Sequence, residues 1–61
     1  MVKQGSKWSN SNGAVFHVID RVELEGHVWI HYIKENAEKH ENREFSCYEE
    51  SFLARFREQP E

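Results

Sequence analysis

Four histidines, one cysteine and two adjacent glutamates are the residues of this chain whose types could do chemistry: His17, His27, His31, His40, Cys47 and Glu49-Glu50. Imidazole nitrogens and thiolates are ordinary zinc ligands. His27 and His31 stand four apart, the spacing at which a helix offers two histidines to one ion. The residues between them, Val28-Trp29-Ile30, are β-branched and aromatic and read as strand. On a strand, residues four apart are separated by roughly 13 Å, too far for a shared ion. A paired-cysteine motif is absent. The sequence therefore calls for no metal and no cofactor, and surface histidines that titrate in the ordinary way are the simpler account.

Cys47 with a histidine would be the only thiolate pair available for nucleophilic catalysis. Cys47 alternates with Phe45, which points it inward, where a thiol behaves as a small apolar group. Glu49-Glu50 is better read as the acidic first turn of a helix than as an acid/base dyad. Ser9-Asn10-Ser11-Asn12-Gly13 is a turn; a phosphate-cradling loop would carry more glycines and lead into a helix, whereas Gly13 leads into a strand. No enzymatic activity is expected.

The elements that must position these residues centre on a hairpin. Ala14–Leu24 and His27–Ile33 read as strands folded back around Glu25-Gly26. Side chains alternate between faces. One face carries Phe16, Val18 and Val22 with Val28, Ile30 and Tyr32. Pairing Val22 with Val28 sets Val18 opposite Tyr32 and Ile19 opposite His31; a slip of one residue would mix the faces. The second face carries Val15, Ile19, Trp29 and Ile33 beside His17, Arg21 and His31, and is more apolar than a solvated strand face. Two accounts compete: a strongly bent sheet covered by the chain ends, as in small barrels, or a surface for a partner.

Sixty-one residues make a single domain, 1–61, with a thin core and no deep substrate pocket. Stability is expected to be modest, or raised by homodimer formation. No stretch is long and apolar enough to cross a membrane, the first residues lack an apolar signal core, and one free thiol suits a reducing compartment, so a cytoplasmic location is expected. Net charge is −3. It is a net of +1 over residues 1–34 and a net of −4 over 35–61, where eight glutamates meet Lys39, Arg43, Arg55 and Arg57. With no basic stripe, tight phosphate binding is disfavoured.

The rest of the chain supplies short elements. Val2–Trp8 reads as an edge strand with a bulge or close approach at Gly5 and Trp8 as a core anchor. Lys34–Asn42 is polar and reads as an exposed loop, at most with one helical turn. Glu44–Tyr48 alternates. Glu49–Phe56 fits a short helix, with Tyr48, Phe52 and Phe56 stacked at i, i+4, i+8 and Ser46 and Glu49 as a capping box; a turn followed by a strand is the competing reading. Residues 57–61 read as a frayed tail.

The spacing Lys3-x-Gly5-x-x-Trp8, then Asn12-Gly13 and a Val/Phe-rich strand, then Val28-x-x-x-Tyr32 and Phe52-x-x-x-Phe56, resembles a family of short lambdoid-phage and prophage proteins of unknown function. More loosely, it is similar to small bacterial proteins with SH3-like barrels. The resemblance covers residues 3–56 and rests on structural motifs. It implies an SH3-like barrel and a phage or prophage accessory role, in the host cytoplasm if phage-encoded, and offers no catalytic residue.

These readings combine into one expectation. The fold is all-β, or a small α+β at most: an SH3-like antiparallel barrel of four or five strands with a C-terminal helical turn. Its core holds Trp8, Phe16, Val18, Val22, Val28, Ile30, Tyr32, Phe45, Phe52 and Phe56. Its function is that of a non-enzymatic module that contacts a host or phage protein through Arg21, Trp29, His31, Ile19, Ile33 and His17. The alternative is a single-stranded nucleic-acid-binding barrel that stacks bases on Trp29. A third account, in which the acidic half imitates nucleic acid, has weak support in eight glutamates interrupted by four bases.

Overall fold

Leu24 and His27 face each other across a two-residue turn in which Glu25 has φ 54° and Gly26 φ 80°. Two successive positive φ values give the turn whose twist matches that of the strands it joins. Gly26 adopts that conformation without strain, while Glu25 takes it up at a cost. In this computed structural model, which describes residues 2–36 and 43–60, the turn joins the two longest strands.

The strands are β1 (Lys7–Ser9), β2 (Val15–Leu24), β3 (His27–Lys34), β4 (Phe45–Tyr48) and β5 (Arg57–Glu58), with helix α1 (Glu49–Arg55) between the last two. All pair antiparallel in one sheet of order β4-β3-β2-β1-β5. The first four strands meander. α1 then carries the chain across to the free edge of β1. This is the small, barrel-like, mainly antiparallel arrangement expected for an SH3-like chain. Among the described residues no helix is long and apolar enough to cross a membrane.

The hairpin register departs from expectation at one point. Val18 pairs with Tyr32 as the pattern requires, but Asp20, not Ile19, pairs with His31. Ile19 is the extra residue of a β-bulge, which bends and twists its strand. Beyond it the register moves by one, so Arg21 faces Ile30, Val22 faces Trp29, and Glu23 rather than Val22 faces Val28. Directly paired residues share a face. The bulge therefore brings Arg21 to the core side and sends Val22 to the outer side.

Among the described residues nine are buried in the core: Val2, Trp8, Phe16, Val18, Ile30, Tyr32, Cys47, Phe52 and Phe56. Val28 and Phe45 pack against them half-buried. Val22 is the expected core residue that the bulge removes. Val2 and Cys47 take their place in the cluster. The ring of Phe16 meets Tyr32, Phe45 and Phe56 edge-on, with centroids 5.2–6.2 Å apart. Phe52 and Phe56 stack at 4.4 Å. Such ring pairs add to the burial of their area. The Trp8 indole N–H donates to Ser6 Oγ at 2.7 Å, so its polar end is satisfied.

α1 begins without the expected capping box. Its N-cap is Tyr48, which makes no side-chain cap bond, because Ser46 stays in β4 opposite His31. The i, i+4, i+8 stack keeps Phe52 and Phe56 but loses Tyr48, which lies on the outer side opposite Trp29. At the other end of the chain the expected frayed tail is paired: Trp8 faces Glu58, Ser9 faces Arg57, and Gln59 N–H donates to Lys7 O at 2.9 Å. β1 is shorter than the edge strand expected at Val2–Trp8, since Gly5, at φ 85°, turns the chain so that Val2 enters the core. Of the Lys34–Asn42 loop, Lys34 completes β3 and Glu35-Asn36 turn away from it; residues 37–42, including His40, lie outside the described residues.

Candidate interaction face

The outer face of β2, β3 and β4 holds most of the residues singled out from sequence. At the hairpin-turn end, His27 stacks on Tyr48 at 4.4 Å and Trp29 meets the same ring edge-on at 4.5 Å. Val22 lies beside Trp29 as its cross-strand partner. Strand alternation accounts for the cluster: Cys47 faces inward, so Tyr48 faces outward, in register with Trp29. Trp29 is half-buried against this neighbour, while His27 is exposed.

The centre and far end of the face are charged. His31 sits between Asp20 and Ser46 in the pairing. Its Nδ1 is shielded from solvent and lies 3.4 Å from Glu44 Oε2 without making a hydrogen bond. At the far end His17 faces Ile33 on one side and Lys7 on the other. Glu35 Oε1 lies 3.0 Å from His17 Nε2 and 3.4 Å from Lys7 Nζ. The hydrogen bond with His17, helped by Lys7, holds the Glu35 carboxyl below its ordinary range. Ile19, at the bulge, is exposed. Gln59 and Pro60 border a cleft beside Lys7 and His17, and the N-terminal segment places Val2 in the core.

Arg21 does not belong to this face. Its Nε donates to Glu49 Oε2 at 3.3 Å, and the Val2 backbone N–H donates to the same oxygen at 3.1 Å. Burial works against the charge on Glu49, but these two bonds outweigh it and hold the carboxyl below the usual range. Arg21 and Glu49 thus tie β2, α1 and the N-terminal segment together. Glu49 is engaged here as a structural acceptor, a role that sequence reasoning missed because its partners are 28 and 47 residues away.

The other candidate chemistry is dispersed. His27 is turned to Tyr48 and His31 to Glu44, and among the described residues no cluster of three His, Cys, Asp or Glu side chains is close enough to hold a metal ion. Cys47 is buried. Burial pushes its thiol up, against the opposing pull of Arg55, and Tyr32 beside it is raised by burial and then by the thiol. A thiol so held stays protonated and is a weak nucleophile.

Fold and face together describe a small, barrel-like antiparallel domain with an aromatic, histidine-bearing outer surface. Comparison with family models, with curated proteins and with solved structures gives no match for this chain.

Proposed function

We propose that this protein is a non-enzymatic interaction module that contacts another protein through the outer face of β2–β4. The observation that carries the reading is the Trp29–Tyr48–His27 cluster on the face opposite the core, with Val22 beside it. Trp and Tyr are the types that most often dominate the energy of a desolvated protein interface. His31, Ile33, His17 and Ile19 would form its surround. Arg21, engaged with Glu49, plays no part in contact. The resemblance to short phage and prophage proteins supports an accessory role of that kind, with a host or phage protein as partner in the cytoplasm. A homodimer through the same face is the variant of this reading that would extend the thin core.

The rival class is single-stranded nucleic-acid binding by stacking on the same rings. On this face Lys7 is paired with Glu35 and His31 lies between Asp20 and Glu44, an arrangement that disfavours a track for phosphates. Two folded variants, Trp29→Ala and Tyr48→Ala, tested by pull-down from host lysate and against mixed oligonucleotides at two salt concentrations, separate the classes. The protein-binding reading expects one captured species, lost in both variants and insensitive to salt. Capture of oligonucleotides that weakens steeply with salt would replace it with the rival. Capture that survives both variants would overturn the assignment of the face.

A further inference from the structure

A second concave surface lies away from the outer-face cluster, between the β1–β2 turn and the C-terminal end of α1. We infer that this cleft binds a short acidic segment of a partner protein, an inference independent of the reading of the Trp29 face. The cleft encloses about 420 Å³. Its first wall, Asn10 and Ser11, is held in shape by the turn's own bonds. Asn10 Oδ1 accepts from the Asn12 and Ala14 backbone N–H groups, each at 3.0 Å, and Gly13 N–H donates to Asn10 O at 3.1 Å. The second wall runs from Leu53 to Arg57. The β1–β5 pairing and the bond from Gln59 Nε2 to Ser9 Oγ, at 2.6 Å, lock the two walls together. A preformed cleft spares a ligand the cost of ordering its site.

Charge and apolar exposure name the occupant. Among the described residues the lining includes Arg55 and Arg57 and no acidic residue, in a chain whose net charge is −3. Among the described residues Arg57 makes no ion pair, whereas Arg55 uses its Nε on Ser51 O and its charge also acts on the Cys47 thiol, so Arg57 is the chief cation offered to a ligand. Guanidinium groups on a cleft wall suit carboxylates. The apolar component is aliphatic: Leu53 is 45% exposed, whereas Phe56 is buried, at 8%. A base would need an exposed ring to stack on. An aliphatic side chain beside carboxylates fits a lining that offers Leu53 together with the arginines, and this favours a peptide over a nucleic acid.

The test uses a fluorescein-labelled decapeptide of alternating Glu and Leu, followed by anisotropy and by amide chemical shifts of the isotope-labelled protein. The expected result is saturable binding with shifts confined to Ser9–Ser11 and Leu53–Arg57. Arg57→Glu and Leu53→Asp, both at exposed positions, are expected to weaken it at least tenfold while leaving the far-UV spectrum unchanged. Replacing the peptide's Glu by Gln is expected to weaken binding to a similar extent. The inference is overturned by absence of binding at millimolar peptide, by shifts that map to Trp29 and Tyr48, or by equal binding of oligothymidine at the same residues.

Discussion

Glu49 shows how much depends on a single carboxylate. Its side chain joins Arg21 of β2 to the Val2 backbone across the top of α1. A glutamate free in solution titrates at about 4.3, and this one lies lower in the folded protein. The unfolded chain therefore binds the proton first as pH falls. The stabilisation is complete above about pH 4.3 and is lost as pH drops through the folded value. Urea unfolding followed between pH 7 and pH 3 is expected to show a falling midpoint on the acid side. Glu49→Gln is expected to flatten that fall and to cost about 1.5 kcal/mol at pH 7, the low end of the range for a hydrogen bond to a charged group. Cys47 is the contrasting case. Buried against Tyr32, it contributes volume and little chemistry. Cys47→Ser is expected to lower stability by about 1 kcal/mol or slightly more, as read from the same unfolding curves, with partner capture by the folded fraction unchanged.

The β2–β3 hairpin is the element on which the outer face depends. Its turn asks Glu25 to hold a positive φ, a conformation that Asn tolerates better than Glu. Glu25→Asn is expected to raise stability by about 0.5 kcal/mol, visible as a higher urea midpoint with an unchanged slope. The bulge at Ile19 is the second device in this element. Were Ile19 paired regularly with His31 instead of bulged, the strand would continue in the Val18–Tyr32 register as far as the turn. Val22 would then face the core, and Arg21 could not reach Glu49 from the core side. One irregular residue thus decides the chemistry of both faces over the turn-proximal half of the hairpin.

At the scale of the molecule, the nine buried side chains of the described residues share one small interior. Phe52 is fully buried and touches Trp8, Tyr32 and Phe56, so it links helix and sheet. Truncating a buried Phe to Ala costs about 3–5 kcal/mol, and a core of this size supplies only about that much in total. Phe52→Ala is therefore expected to be largely unfolded at 25 °C. A far-UV spectrum with native strand content and a cooperative unfolding transition would contradict this.

Alternation and turn chemistry in the sequence by themselves determined the hairpin, its faces as far as Val18, the inward thiol, the short helix and seven of the core residues. These are local matters, set by side-chain periodicity and by residues such as Gly26 whose conformational range is known in advance. The candidate face was legible in the same way for Trp29, His31, Ile33 and His17, all placed by alternation on β2 and β3. Arg21 and Val22 were not legible. A bulge inserts no signal of its own; it is selected by the gain from bending the sheet around its core and from bringing a guanidinium to a carboxylate 28 residues away. The pairing of Arg57–Glu58 with β1 has the same origin, because two charged residues carry no strand pattern and acquire one only from the edge they meet. The tertiary structure alone decided these points, since each rests on backbone and charge partners that sequence proximity does not supply.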